Sequence, residues 1–258
     1  MRHPKIALAL SLVITVVATR HALSDGVYVP SRPAPFFNWS GVYLGATAGY
    51  ANGFHNADDL AGAFLGYPGL GNDQSQGFAG GGTLGINWQD GTLVYGLETD
   101  IDWLSNKTTY VDPTGAINNF YPSETNRLDF LGTVRGRLGL AVDRTLLYVT
   151  AGLAYGEVKN TLQYNSSKFP TFNTPSFDVS STRIGWVVGS GLEHAWTPNW
   201  TFKGEALYAQ LEPTNASWVS PPPGSHDFPA NAIYNERFNT SVAIIRAGLN
   251  YKFSWFGP

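Results

Sequence analysis

The sequence contains no cysteine, which excludes disulfide bonds, thiolate metal sites and cysteine nucleophiles. Charged residues make up only 14% of the 258 residues, a low fraction for a protein whose whole surface meets water. Long apolar runs are also lacking, since the apolar stretch at residues 6–18 is shorter than the roughly 20 residues that a membrane-spanning helix needs. These absences argue against both an ordinary soluble domain and a helical membrane protein.

The N-terminal region has the three parts of a secretory signal. Basic side chains occur at residues 2–5, the apolar stretch follows at 6–18, and small residues at 22 and 24 provide a cleavage site before Asp25. We therefore expect a signal peptide at residues 1–24, with a buried N-terminal helix as the alternative. Residues 25–38 are rich in proline, and they predict an extended periplasmic linker.

The basic residues form no stripe or patch. Removal of residues 1–24 takes away three basic residues and no acidic one, which lowers the formal charge from −3 to −6. An acidic chain without a basic stripe lacks the electrostatic footprint of a nucleic-acid-binding protein. The sequence therefore predicts no nucleic-acid partner.

What the sequence does contain is a repeated alternation of apolar and polar residues with a period of two. It predicts strands at residues 39–51, 78–89, 93–104, 129–141, 145–158, 181–194, 200–211 and 239–253. The connections between them are long and short in turn, which is typical of a membrane barrel with tight turns at one end. We expect an all-β, eight-stranded antiparallel up-and-down transmembrane β-barrel over residues 39–253. Its short turns would be periplasmic, its four long loops extracellular, and residues 254–258 a C-terminal extension.

The alternation separates the side chains of each strand into an apolar face and a face of charged or small residues. Opposite charges fall on neighbouring strands, which predicts a network of ion pairs in the narrow lumen, and inner-face glycines would leave it room. The predicted lumen charge network comprises Glu98, Asp100, Asp102, Arg135, Arg137, Arg183, Glu193, Lys203, Glu205, Arg246 and Lys252.

Aromatic residues decide which face points outward. They make up 14% of the chain, and on the apolar face they concentrate at the strand ends, where membrane barrels carry aromatic girdles at the two lipid–water interfaces. The predicted girdle comprises Tyr50, Phe78, Trp88, Tyr95, Trp103, Phe130, Tyr155, Trp200, Tyr208, Tyr251 and Phe253. The apolar face is therefore predicted to face lipid.

The motifs in these strands resemble those of a known family. The opening segment at residues 38–45 (NWSGVYLG) and the segments at 132–139, 147–156, 185–193 and 245–253 resemble the small outer-membrane β-barrel proteins of alphaproteobacteria, often called porin-family proteins. The resemblance covers residues 39–253 and implies an OmpA-like eight-stranded barrel without established catalytic residues. Such barrels usually end on an aromatic residue that the assembly machinery reads, whereas this chain continues past Phe253 to Pro258.

Two patterns in the sequence could indicate chemistry at the barrel. The Glu98-x-Asp100-x-Asp102 motif places three carboxylates on one strand face, as in a metal or catalytic cluster, but ion pairs with Arg135 and Arg137 are the favoured interpretation. A lipid hydrolase in the barrel wall would need a histidine at the outer end, and His194 lies at the other end. The sequence predicts no enzyme, no metal and no cofactor.

The expected function is therefore structural. The wall would contact outer-membrane lipid or lipopolysaccharide, the C-terminal strand would contact the assembly machinery, and the long loops at residues 52–77, 105–128, 159–180 and 212–238 would meet an unknown ligand. A narrow channel for small solutes or ions is the alternative function, and a lipid-modifying enzyme is a remote one.

Overall fold

The computed structural model describes residues 37–59, 73–111, 120–166, 176–219 and 233–253. The predicted signal peptide, residues 25–36 of the predicted linker and the predicted C-terminal extension therefore lie outside the described residues. These residues form eight strands: β1 (Gly41–Asp59), β2 (Asp73–Asp90), β3 (Leu93–Val111), β4 (Phe120–Val142), β5 (Thr145–Ser166), β6 (Ser176–Ala195), β7 (Trp200–Val219) and β8 (Ile233–Lys252). No helix long and apolar enough to cross a membrane occurs in these parts of the chain.

The strands close into one antiparallel barrel in chain order, with β8 paired to β1. Through the body of the barrel every strand pairs with both of its neighbours, so the ladder satisfies the backbone N–H and C=O groups there. The predicted barrel class and strand number are confirmed.

Three tight connections lie together at one end of the barrel, which we call the short-turn end. The turn between β2 and β3 contains Gly91 with a φ of +59°, and the turn between β4 and β5 contains Asp143 with a φ of +52°. Gly and Asp are among the residues that adopt this left-handed conformation most readily. A four-residue turn at 196–199 joins β6 to β7. All three connections coincide with the predicted short turns.

The strands are longer than the sequence pattern predicts, mainly at the end opposite the short turns. β1 continues to Asp59 rather than ending at residue 51, and β5 continues to Ser166 rather than ending at residue 158. The sequence of these extensions is largely polar and lacks the regular alternation used to predict strands. Each extension nevertheless pairs with at least one neighbouring strand, and much of each predicted loop is therefore strand. The β2–β3 pairing ends at Ala79–Leu104 and the β6–β7 pairing ends at Gly185–Leu211.

Register irregularities lie at the base of these extensions. They occur between Trp103 and Asn106, between Leu128 and Leu131, and between Leu211 and Thr214. An extra residue on one strand of a pair increases the local twist and shifts which side chains face inward. The period-two pattern is consequently interrupted where the apolar wall gives way to polar strand.

Residues 37–40 precede β1 and are not strand, in contrast to the predicted strand start at residue 39. Phe37 and Trp39 are 8% and 2% exposed, and their rings meet edge to face at 4.7 Å between centroids. The Trp39 backbone N–H donates a hydrogen bond of 2.7 Å to the Gln89 side chain. Burial of the two rings at the short-turn end explains why this segment leaves the strand ladder.

Candidate functional site: the charged interior of the barrel

The barrel encloses a layer of charged side chains that comes from five of its strands. The ion pairs join Glu98, Asp100, Asp102, Arg135, Arg137, Glu193, Lys203, Glu205 and Arg246. Each of these residues is at most 4% exposed. We call this set the charge layer. It contains five carboxylates against four cationic groups, which makes nearly complete mutual neutralisation possible.

Arg135 and Arg246 organise the half of the charge layer farther from the short turns. The Arg135 guanidinium donates to Asp100 at 2.6 Å, to Glu205 at 2.9 Å and also to Glu98. Arg246 donates to Asp100 at 2.7 Å, to Glu205 at 2.6 Å and also to Asp102. The five donors of a guanidinium suit this multiple pairing, because a planar fork can reach several carboxylates from neighbouring strands.

Arg137 and Lys203 organise the half nearer the short turns. Arg137 pairs with Glu193, and its guanidinium lies 3.7 Å from the centre of the Tyr148 ring, a cation–π geometry. The Lys203 ammonium donates to Glu98 at 3.2 Å. Because Arg135 also reaches Glu98, that carboxylate connects the two halves into one network.

Hydroxyl groups complete the hydrogen bonding of the carboxylates. Tyr43 donates to Glu98 at 2.7 Å and Tyr148 donates to Glu205 at 3.2 Å. Thr47 donates to Asp102 and Thr133 donates to Asp100, each at 2.9 Å. Buried carboxylates are tolerated when their oxygens accept hydrogen bonds in this way. The Nε–H groups of Arg135 and Arg137, by contrast, have no hydrogen-bond partner among the described residues.

Glycines on neighbouring strands make the space for the long charged side chains. Gly152 lies opposite Arg135 in the β4–β5 register, and Gly49 lies opposite Arg246 in the β1–β8 register. A Cβ atom on Gly152 would lie 2.0 Å from the Val134 carbonyl oxygen and 2.6 Å from the Arg135 Cα. Backbone atoms cannot yield as a flexible side chain can, so these positions require glycine. The predicted role of the inner-face glycines agrees with this register.

Apolar side chains close the lumen on both sides of the charge layer. Toward the end opposite the short turns lies an outer apolar layer of buried residues: Ala51, Ala79, Leu104, Leu128, Leu131, Ala154, Val158, Val187, Leu207, Ala209, Leu211, Val242 and Ile244. Toward the short-turn end lies an inner apolar cap of Phe37, Trp39, Val94, Ala141, Leu146, Tyr148 and Ala195. The charge layer is therefore enclosed between two apolar layers.

Two predicted members of the network lie outside it. Arg183 sits on β6 beyond Val187 of the outer apolar layer, so it is separated from the carboxylates, and its Nε donates to Ser181 at 2.9 Å. Lys252 lies at the mouth of the short-turn end, where its ammonium is 4.3 Å from the centre of the Phe37 ring and donates to the Asn38 carbonyl. Both side chains face inward as parity requires, but none of the ion pairs among the described residues includes either of them.

The carboxylates considered as a metal site and the histidines considered as catalytic groups form ion pairs or contact hydroxyl groups. Glu98, Asp100 and Asp102 each pair with a cation, and the described residues include no group of three or more acidic, histidine or cysteine side chains arranged to hold a metal ion. His194 is exposed and lies 3.0 Å from the Thr145 hydroxyl. A different histidine, His55, lies 3.1 Å from the Ser75 hydroxyl, and both side chains are buried.

The predicted girdle residues lie on the outer side of the barrel wall. Eight of them are between 36% and 63% exposed: Tyr50, Phe78, Trp88, Tyr95, Trp103, Trp200, Tyr251 and Phe253. Phe130, Tyr155 and Tyr208 are half-exposed because rings contact them; the centroids of Phe130 and Tyr155, for example, are 6.3 Å apart. Neighbouring outward positions between the two ends carry apolar residues such as Leu97, Val134 and Val149, each more than half exposed.

Sequence reasoning missed the tyrosines that contact the charge layer, and it missed both apolar layers. Tyr43, Tyr148, Ile244 and Leu207 all follow the parity of the charged face, so extending that parity along each strand would have placed them inside. The burial of Trp39 had no such signal, because it depends on a non-strand segment that folds across the end of the barrel.

Comparison with known proteins identifies the family of this barrel. Residues 9–253 match the family described as "Outer membrane protein beta-barrel domain". The chain belongs to this family. It is an outer-membrane protein, and the resemblance seen in the strand motifs is confirmed.

Relatives occur in alphaproteobacteria. The chain is 32% identical over 259 residues to the 31 kDa outer-membrane immunogenic protein of Brucella melitensis biotype 1, covering 96% of this chain and 97% of the relative. It is 31% identical over 183 residues to the 22 kDa outer membrane protein of Rhizobium leguminosarum bv. viciae, covering 71% and 68%. The crystal structure of the outer membrane protein OprG from Pseudomonas aeruginosa gives a TM-score of 0.47 at 14% identity, covering 84% of this chain and 97% of that one.

Proposed function

We propose that this protein is a closed, non-conducting barrel that anchors surface loops in the outer membrane and contributes to envelope integrity or to surface interactions. The observation that carries the proposal is the filling of the lumen. Arg135 and Lys203, at its centre, are 0% exposed, and apolar layers lie on both sides of them. A solute would have to displace an apolar layer, a network of ion pairs and a second apolar layer in turn.

The charge layer supports a structural role in a second way. Its ion pairs join strands that are far apart in the sequence, such as Arg246 of β8 with Asp102 of β3. A shift of one residue in any strand pairing would turn these charges toward lipid. The network therefore favours one register of the whole barrel, which suits a protein that must assemble correctly inside a membrane.

The outer wall supports the membrane position of the barrel. Tyr95 and Trp103 are eight positions apart on β3 and both are exposed, which corresponds to a height of about 20 Å at a tilt near 40°. Aromatic rings prefer the headgroup level, and an apolar band of roughly 25 Å is typical of such barrels. We infer that the predicted girdle residues mark the two interfaces of the bilayer.

We place the short turns in the periplasm and the four longer connections at the cell surface, where they would meet an unknown ligand. The Brucella relative is named as an immunogenic protein, which would follow if its own loops are exposed. Assembly would depend on the C-terminal strand β8 and on the exposed Phe253 that directly follows it.

We infer that the protein is not an enzyme. The His55–Ser75 contact resembles part of a hydrolase triad, but both side chains are enclosed by the barrel, at 5% and 1% exposure. The second ring nitrogen of His55 lies 3.5 Å from the Thr240 hydroxyl. A lipid in the surrounding membrane could not reach this serine.

A liposome swelling assay tests the proposal. Folded protein is reconstituted, checked by its heat-dependent gel mobility, and exposed to isosmotic solutions of small sugars and amino acids. We expect no swelling above that of protein-free liposomes, with a general diffusion porin as the positive control. Swelling that rises with the amount of folded protein would establish the channel alternative instead.

A further inference from the structure

A row of three basic residues lies on the outer surface of the barrel, toward the end opposite the short turns. Lys107 of β3 is directly opposite Arg127 of β4, and Arg127 is directly opposite Lys159 of β5. Their neighbours Asn106, Leu128 and Val158 are buried in the lumen, so the three basic side chains point outward. With strands about 4.8 Å apart, the row is roughly 10 Å wide.

Three cations in one cross-strand row are unfavourable unless anions are near, because like charges directly opposite each other repel. Two carboxylates offset part of this repulsion. Asp129 accepts a hydrogen bond from Lys159 at 2.8 Å and pairs with Arg127, and Glu157 lies 3.4 Å from the Lys159 ammonium. Among the described residues no ion pair includes Lys107, so the row has one more positive than negative charge.

The position of the row relative to the aromatic wall indicates its environment. Trp103 and Phe130 lie opposite each other on the same two strands, and Phe130 contacts Tyr155 of the third. Lys107 is four residues beyond Trp103 along β3, which places it roughly 10 Å farther from the bilayer centre. If the aromatic rings lie at the interface, the basic row lies at the level of lipid headgroup phosphates.

We propose that Lys107, Arg127 and Lys159 form a binding site for the phosphate groups of a phosphorylated glycolipid in the outer leaflet. Arginine and lysine both bind phosphate, Arg127 with a planar fork and the lysines as point charges. A lipid phosphate would supply the missing negative charge, while its acyl chains would lie against the exposed aromatic and apolar wall below. Only the assignment of the site to the outer leaflet depends on the proposed orientation of the barrel.

The test is a titration of the folded protein in detergent with diphosphorylated lipid A, in which native mass spectrometry counts bound lipid. The K107Q/R127Q variant removes two charges from the row. The control variant R144Q/R237Q removes two exposed arginines elsewhere, on the β4–β5 turn and on β8. We expect at least about tenfold weaker binding for the first variant, which corresponds to one or two lost charge-assisted contacts, and no change for the control. Should K107Q/R127Q not fold, K107Q alone serves, since Lys107 is exposed and takes part in none of the described ion pairs.

Three outcomes would overturn the proposal: equal binding by both double variants, equal binding of chemically dephosphorylated lipid A by the wild type, or displacement of the lipid by inorganic phosphate at matched concentration. The last outcome would indicate a site for free phosphate.

Because lipid binding in detergent does not depend on how the barrel is inserted, the orientation is tested separately. A Lys107→Cys variant of this cysteine-free chain should react with an impermeant thiol reagent on intact cells.

Discussion

Val134 and Arg135 are neighbours in β4, yet they lie in opposite environments. Val134 faces outward and is 52% exposed, whereas Arg135 is 0% exposed and contacts three carboxylates inside the barrel. At the level of the charge layer, the barrel thus places charged side chains inside and apolar side chains outside. The two faces also differ in specificity, because lipid accepts any apolar side chain whereas each charge in the lumen depends on particular partners on other strands.

Arg135→Met should lower the free energy of unfolding more than any other substitution considered below. The substitution retains an unbranched side chain but leaves Glu98, Asp100 and Glu205 with less positive charge around them. Removal of one partner of a buried ion pair costs about 3–5 kcal/mol. We expect that loss in the free energy of unfolding, measured by denaturant titration in phospholipid vesicles. The exposed Arg144→Met is the control, with an expected change near zero; similar values for the two variants would contradict the structural role of the charge layer.

Val134→Arg tests the outer face on the adjacent residue. Val134 lies midway along β4 between Phe130, opposite Trp103, and Leu138, opposite Tyr95. Arginine on the lipid face near the bilayer midplane costs about 2–4 kcal/mol, and less toward an interface. Leu249→Arg, next to the exposed Tyr251, should therefore cost less than Val134→Arg in the same vesicle titration. If the order is reversed, the proposed membrane level is wrong.

Glycines on the two faces provide the next comparison. Gly152→Ala would place a methyl group 2.0 Å from the Val134 carbonyl oxygen, whereas Gly136→Ala would place it 3.8 Å from its nearest atom, the Ala151 carbonyl oxygen. We expect a loss of about 1–3 kcal/mol for the inner glycine, from strain in the backbone, and almost none for the outer one. Equal unfolding free energies of the two variants would show that the interior is less tightly packed than the structure indicates.

Tyr148→Phe should have the smallest effect. The ring that lies under Arg137 is retained, and only the hydrogen bond of the hydroxyl group to Glu205 is lost. Because Glu205 keeps Arg135 and Arg246 as partners, we expect a loss of about 1 kcal/mol. Tyr95→Phe, on the exposed face, is the matched control. A loss above that of Arg135→Met would mean that the hydroxyl groups rather than the arginines organise the network.

Much of the membrane-level barrel could be predicted from the sequence, because lipid outside and a narrow lumen inside impose a strict alternation on residues such as Val134 and Arg135. Parity placed nine charged residues in one buried network and eleven aromatic residues on the outer wall. It could not tell that Arg183 and Lys252 lie at other levels, since parity reports which face a residue occupies and not how far along the barrel its partners are.

The strand extensions and the inner cap were not predictable in the same way. Beyond residues such as Tyr50 and Trp103 apolar and polar residues no longer alternate regularly, so the extended strands resemble loops in sequence although each still pairs with a neighbouring strand. The bulges near Trp103 and Leu128 also break the period of two. The position of Trp39 depends on a contact with Gln89, which is 50 residues away in the chain.

Single-channel recording in planar bilayers tests the closed lumen most directly. The protein is added in its folded form, verified by the gel mobility of unheated samples, and recorded over a range of voltages at high salt. Because the charges of the charge layer pair with one another and the layer lies between apolar layers, the recordings should show no discrete conductance steps. Reproducible steps whose frequency follows the concentration of folded barrel would contradict the proposed closed lumen.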